Sequence, residues 1–276
     1  YRDKYIQAAN GGSGPDVLLS DNIWVPQFAA MDIIHPLTEK LGDKKNEFFQ
    51  GTIDAAIWNN EIYGVPFHTD IMVLFYNKTA FKNAGLDPEK PPTTWEEFRD
   101  AAIALTKDGM YGFGLMGGWG GSFEWLPWFW QNGGEILDAS GTKATFNNEA
   151  GMEATEFFLN LLTKDGVVPK AALTWKSWDE VTAGFATQTV AMVEGMDVLL
   201  QKLDAEKVDF EWGVAPLPGR KTQAATLGGG HWVINKNSKN FDAAYKWIDF
   251  ISSKDNLDMM DAYKRTSARK DADSQE

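Results

Sequence analysis

The chain has 276 residues, 43% hydrophobic and 24% charged, with a formal net charge of −13 and no cysteine. This length accommodates two lobes, each with its own core, and the composition is that of a folded chain, not a disordered one. The negative charge opposes binding to nucleic-acid phosphates and anionic membrane surfaces, the lack of cysteine excludes disulfides and thiolate or zinc-thiolate chemistry, and no apolar run approaches the roughly 18 residues of a membrane span.

In chain order, residues 1–10 predict the end of a helix, closed by GGSGP at 11–15. Residues 16–19 predict a short buried strand. SDNIWVPQF after it places Asp21, Asn22 and Trp24 at the strand's C-terminal end, where open α/β sheets present ligand-binding loops. For Asp21 a helix-capping role is favoured; for Asn22, capping and ligand contact weigh equally. Beyond the polar stretch 38–50, residues 71–76 are apolar at nearly every position, as in a strand covered on both faces. His68, Thr69 and Asp70 precede it, as either a surface turn or a ligand-facing edge. PPTTWEEF carries a capping box, Thr94 with Glu97, opening an amphipathic helix that ends near Lys107. Residues 111–116 predict a strand that delivers the chain into GGWGGSFEWLPWFWQNGG at 117–134.

That stretch sets Trp119, Phe123, Trp125, Trp128, Phe129 and Trp130 around one carboxylate, Glu124. Aromatic faces stack on the C–H faces of sugar rings, and a carboxylate accepts hydrogen bonds from sugar hydroxyls. A helix beginning after Ser122 would bury most of these rings, which assigns Trp128, Phe129 and Trp130 to the core and leaves Trp119 and Phe123, Glu124 and Trp125 as ligand-facing candidates. Residues 154–162 predict a further amphipathic helix stopped by Gly166, and Ser177 with Glu180 forms a second capping box. A strand at 190–193 leads through Glu194 and Gly195 to Met196 and Asp197 and a helix at 198–203, and a strand at 210–215 is closed by PLPG. LGGGHW from 227 puts three glycines, His231 and Trp232 ahead of a strand through Ile234; such glycines mark tight turns or close backbone approach to another element or a ligand. A last helix begins at Phe241, and the tail from Lys264 is highly charged. Strands alternate with helices throughout, so the fold class is α/β.

Glu124, Asp70, Asp197, Asp179 and Glu180 could supply the two carboxylates of a glycosidase, but their spacing fixes no pair at a working separation. There is no nucleophile elbow, phosphate loop or dinucleotide fingerprint. His35, His68 and His231 lack metal-ligand spacing, and hydrogen-bonding roles suit His68 and His231 better. Neither catalysis, a metal nor a cofactor is expected.

At YGVPFHTDIMVLFYNKTAFKNAGL, PPTTWEEF, FATQTVAMVEG and WGVAPLPG the chain resembles the extracellular solute-binding proteins of ABC sugar importers, the group that includes maltose-binding proteins, in order from about Gly14 to Asp271. The resemblance implies a periplasmic-binding-protein-like type II fold, two α/β lobes joined by crossing strands with ligand held in the cleft by hinge closure. The first lobe would comprise residues 1–75 and 226–269, incomplete at its N-terminus; the second would comprise 76–225; and 270–276 would begin a C-terminal segment that relatives continue. Carried over by position, Asp70 matches an acidic sugar contact, and Phe123, with Glu124 or Trp125 beside it, matches a stacking aromatic. Met196 and Asp197 match a loop where many relatives have a tryptophan, which puts maltodextrin specificity in question. Gly229, Gly230 and His231 match a contact at the return crossing. Arg269 matches an arginine near the cleft, with an exposed tail charge as its alternative. Asn22, Trp24, Asp70 and His231 would then face the aromatic wall, with His68 a further ligand-binding candidate. The resemblance implies a non-catalytic, monomeric receptor that hands a mono- or oligosaccharide to ABC permease subunits, in the periplasm or outside the cell, with lipid anchoring left open. A receptor for a polyol or glycerol phosphate, and a carbohydrate-active hydrolase using Glu124 and Asp70, are the alternatives.

Overall fold

The computed structural model describes residues 1–256 and 265–272, apart from the side chain of Trp119. The chain runs through α1 (Arg2–Asn10), β1 (Val17–Asp21), α2 (Val25–Ala30), α3 (Thr38–Leu41), α4 (Gln50–Asp54), β2 (Ile57–Trp58), β3 (Glu61–Ile62), β4 (Val65–Ile71), β5 (Val73–Asn77), α5 (Lys78–Asn83), α6 (Trp95–Leu105) and α7 (Gly121–Gln131). It continues through α8 (Glu149–Thr163), α9 (Trp178–Ala186), β6 (Met192–Gly195), α10 (Asp197–Glu206), β7 (Trp212–Ala215), β8 (Leu227–Ile234), α11 (Phe241–Ile251) and β9 (Thr266–Ser267). Two units result: Tyr1–Asp70 with Leu227–Glu276, and Ile71–Thr226.

Unit 1 is built on a sheet of order β1-β8-β4-β9. β1 and β8 pair antiparallel, from Val17 opposite Ile234 to Asp21 opposite Gly230. Phe28, Ile34, Leu37, Val233, Ile234 and Ile248 fill its core. Unit 2 is built on a sheet of order β6-β5-β7 with both pairings antiparallel. As its central strand, β5 buries Leu74, Phe75 and Tyr76 in succession, which is the physical reason for the unbroken apolar run. Trp95, Phe98, Phe113, Trp128, Phe129 and Phe158 form the larger of its cores. Both capping boxes are present, Thr94 with Glu97 on α6 and Ser177 with Glu180 on α9.

Three expectations change. The apolar run is not one strand: it breaks at Met72, whose N–H donates to the carbonyl of Thr226 at 3.0 Å, and β4 and β5 join different sheets. The units therefore meet in sequence at Asp70/Ile71 and Thr226/Leu227, which puts Ile71 to Phe75 and Thr226 in the second unit. Residues 111–116 do not form a laddered strand; Tyr111 and Gly114 make isolated parallel bridges to Val190 and Val193. The three glycines lie inside β8, not ahead of it.

The aromatic stretch folds as α7 with Pro127 inside it. Proline has no N–H, so the carbonyl of Phe123, four residues earlier, loses its helical donor. The Thr226 hydroxyl takes that place, donating to the Phe123 carbonyl at 2.9 Å. Among the described residues no helix is long and apolar enough to cross a membrane.

Candidate functional site

In unit 1 the predicted polar residues gather at the end of β4. His68 and Asp70 lie within the strand, an inner one of the sheet, so the triplet is not a turn. β9 pairs with it in the register His68 to Ser267 and Thr69 to Thr266, which carries Arg265 opposite Asp70. The Arg265 guanidinium reaches Asp70 Oδ1 at 3.3 Å and His68 Nε2 at 3.3 Å, and His68 Nε2 is 3.9 Å from Asp70 Oδ2. Opposite-charge pairs directly across a ladder stabilise it, and this one holds a carboxylate, an imidazole and a guanidinium together, each partly open to solvent. β8 can approach this cluster because its residues are glycines. Gly229 has φ +133°, and a Cβ there would lie 2.3 Å from the carbonyl oxygen of His68. Asn22 is buried and its amide donates to the carbonyl of Leu227, the first residue of β8, at 3.4 Å. The Asp21 side chain accepts from the N–H of Ile23, the capping role expected of it. Trp24 packs edge-on against Tyr1 at 5.1 Å and tilted against Phe28 at 6.4 Å.

In unit 2, Phe123 is half-buried in the first turn of α7 and meets the ring of Trp178 edge-on at 6.4 Å. Met196 lines a small cavity with Trp178, Thr182 and Glu194, and Asp197 opens α10, where the helix dipole favours a negative charge. Trp125 falls two residues from Phe123, which points it to another side of the helix; its ring stacks on Phe129 at 4.9 Å and lines a groove with Phe146, Met152 and Leu159. Trp128 and Phe129 are core residues, as expected. Trp119 was a candidate, but its side chain lies outside the described residues.

Three candidates are structural groups. Glu124 is 0% exposed: its Oε2 accepts from the N–H of Met116 at 2.8 Å, and burial pushes its carboxyl up to about 8. His231 is buried with its Nε2 2.7 Å from the Thr52 carbonyl. Burial brings its pKa down to about 4, so the ring is neutral and donates from Nε2. Arg269 is not an exposed tail charge. It is buried over the Phe48 ring and paired with Asp271 at 2.8 Å and Glu47 at 2.8 Å. The partly exposed arginine of that segment is Arg265, four residues earlier. No signal in the sequence distinguished the two, since residues four apart on an extended segment share one face; only the pairing of β9 with β4 does. Glu194, fully buried in β6, was also missed; a carboxylate inside an apolar strand was the signal there. Among the described residues no group of three histidines or carboxylates is arranged to hold a metal.

Comparison with known proteins agrees with this architecture. The solute-binding protein of Thermotoga lettingae bound with α-D-tagatose is 29% identical, with a TM-score of 0.87 over 99% of this chain and 72% of that one. The maltose-bound MalE3 of T. maritima is 28% identical, with a TM-score of 0.85 over 99% and 72%. A probable amino-acid ABC transporter periplasmic-binding protein of Sinorhizobium fredii is 32% identical over 222 residues, 77% of this chain and 50% of that protein. The sn-glycerol-3-phosphate-binding periplasmic protein of Escherichia coli is 27% identical over 273 residues, 91% of this chain and 60% of that protein. The chain thus spans between half and about three fifths of the length of these curated relatives. Residues 1–257 match the family model for bacterial extracellular solute-binding proteins, and the chain belongs to that family.

Proposed function

We propose that this chain is the ligand-binding part of a receptor that captures a sugar or polyol outside the cytoplasmic membrane, periplasmic or extracellular, and delivers it to the permease of an ABC transporter, with hinge closure as the capturing step. The observation that carries this reading is the cluster of His68, Asp70 and Arg265 at one strand end, backed by the glycines of β8. A carboxylate beside a guanidinium offers acceptors and donors at the spacing of neighbouring hydroxyls on one ring. Within unit 2, Phe123 with Trp178 beside it offers an apolar face of the kind that stacks on a sugar ring. A neutral polyhydroxylated ligand suits a cluster whose charges already compensate.

Arg265 within 3.3 Å of His68 favours one second reading, an esterified phosphate on a small polyol, because two donors of that kind converge on one side of Asp70. A hydrolase would need Glu124 as its acid, and that carboxyl is fully buried and held by the Met116 amide.

Calorimetry against D-tagatose, maltose, maltotriose and glycerol 3-phosphate tests these readings. One-to-one binding of a sugar without release of reducing ends is expected. Asp70→Ala should weaken it by about tenfold to a hundredfold, the worth of one or two hydrogen bonds to a charged group, and Phe123→Ala by about tenfold. Parent-like affinity in both variants would move the site elsewhere, and tightest binding of glycerol 3-phosphate, abolished in Arg265→Ala, would select the phosphate reading.

A further inference from the structure

Thr226 is the last residue of unit 2 before the chain passes into β8, and it is 4% exposed. Both its carbonyl and its hydroxyl are engaged within unit 2. The carbonyl accepts from the N–H of Met72, on the segment that leaves β4 for β5, at 3.0 Å, and the hydroxyl donates to the Phe123 carbonyl in the first turn of α7 at 2.9 Å. The residues that lead up to Thr226 are fastened to the same helix. The N–H groups of Lys221 and Thr222 donate to the carbonyl of Gln131 at 2.9 and 3.1 Å, and the Gln131 side-chain amide donates to the carbonyl of Ala224 at 2.8 Å. Gln131 is itself buried, and its side-chain oxygen accepts from the indole N–H of Trp95 at 2.8 Å. Residues 221–226 therefore form a strap along α7, attached at the last residue of the helix and at its first turn.

The attachment at the first turn is the one that the helix cannot supply for itself. A carbonyl inside an α-helix is held by the N–H four residues on, and for Phe123 that residue is Pro127. We propose that Thr226 is a positioning residue for Phe123: its hydroxyl replaces the missing amide, fixes the backbone that carries the ring, and so sets the edge-on approach of Phe123 to Trp178 from the point where the chain crosses between the units. That Phe123 receives the ligand rests on the functional reading above; that Thr226 places Phe123 does not.

Because the Thr226 carbonyl also holds Met72, both passages of the chain between the units are joined to the aromatic face through this one residue. Hinge closure is absorbed by backbone rotation at a few residues where the chain passes between the moving bodies. A rotation at either passage then reaches the ring through two hydrogen bonds and not through the length of α7. The hydroxyl is the specific requirement. Serine keeps the donor, whereas valine, of nearly the same shape, removes it and leaves a partly buried carbonyl without one.

The experiment compares Thr226→Val, Thr226→Ser, Pro127→Ala and the double variant Pro127→Ala/Thr226→Val, each checked for folding by near-ultraviolet circular dichroism. In the ligand-free protein the indole N–H resonance of Trp178, assigned by its loss in Trp178→Phe, reports the ring of Phe123 beside it. It should shift in Thr226→Val, keep its parent position in Thr226→Ser and Pro127→Ala, and return in the double variant, where the alanine amide takes the Phe123 carbonyl in the ordinary helical bond. An unmoved resonance in Thr226→Val, or one that stays displaced in the double variant, would overturn the proposal. Should Thr226→Val alone not fold, the double variant decides: a parent-like resonance supports placement through the Phe123 carbonyl, and a displaced one overturns it. With D-tagatose or maltose as probe, Thr226→Val should weaken binding about fivefold, the worth of one hydrogen bond. That loss should disappear in the double variant and also in a Phe123→Ala background, where no ring remains to be placed. A loss of the same size on top of Phe123→Ala would show Thr226 acting elsewhere and overturn the proposal. Binding of neither sugar by the parent would count against the functional reading alone, because the ligand-free resonances decide the placement by themselves.

Discussion

Arg269 illustrates how a side chain's neighbours decide its role. Its guanidinium is buried, bridges Glu47 and Asp271, and donates to the Ser252 carbonyl at 3.2 Å. Removing it leaves a buried carbonyl unsatisfied and two carboxylates unpaired, and those carboxylates are themselves partly solvated. Arg269→Met should therefore cost about 1–3 kcal/mol in urea unfolding while changing sugar affinity less than twofold, whereas a large loss of affinity would return Arg269 to the binding site. The sequence identified the segment but not which of its arginines stands beside Asp70, because Arg265 and Arg269, four residues apart, share one face of an extended segment and are told apart only once the partner strand is known. His68 and Asp70 were legible as polar residues next to an apolar run. Glu124 was not legible as a buried group, since a carboxylate among aromatic rings reads the same whether the rings line a site or enclose a core.

Among the elements, β8 depends on its glycines. At Gly229 a side chain would have to adopt φ +133° and overlap the His68 carbonyl, so Gly229→Ala should cost about 1–3 kcal/mol and weaken sugar binding by displacing His68 and Asp70. Gly12, at φ +72° with nothing within 4 Å of the place a methyl would take, should tolerate the same change at smaller cost, and equal effects at the two positions would refute the packing argument. Helices were the most legible elements: both capping boxes and the apolar spacing of α6, α8 and α9 are local signals. The strand break at Met72 was not local. Ile71, at the end of β4, is apolar although exposed, so the apolar pattern continues across the break into buried β5, and only their separate partner strands reveal it. The same holds for 111–116, where the pattern of a strand is present but the ladder is reduced to two bridges.

For the whole molecule, the two units carry buried groups that titrate in opposite senses. In unit 1, His231 is neutral when folded, with its pKa lowered to about 4. The unfolded chain binds the extra proton as pH falls below about 6.5, so unit 1 should lose about 3 kcal/mol between there and about pH 4. In unit 2, the Glu124 carboxyl is raised to about 8, so the folded state holds the extra proton and its contribution is lost as pH rises from about 4.5 towards 8. Scanning calorimetry across pH 4–9 should resolve transitions that move apart in opposite directions, with His231→Gln removing the acid-side shift and Glu124→Gln the other; parallel movement of all transitions would contradict this assignment. The family membership, the α/β class and the existence of two units followed from motifs in their order, while the chain crossings required the sheets themselves.

The bond from Thr226 to the Phe123 carbonyl has a consequence for how this sequence can change over generations. Proline inside a helix is ordinarily a standing cost of about 3 kcal/mol, and its loss would be welcomed. Here the vacancy left by Pro127 is already filled, so replacing it gains less: the amide it brings in shares the Phe123 carbonyl with the Thr226 hydroxyl. Conversely, losing the Thr226 hydroxyl while Pro127 remains leaves a partly buried carbonyl without either donor. The two positions are therefore historically entangled: residue 127 must change before residue 226 is free to, and descendants that keep the proline are bound to keep a hydroxyl at the point where the chain leaves the second unit.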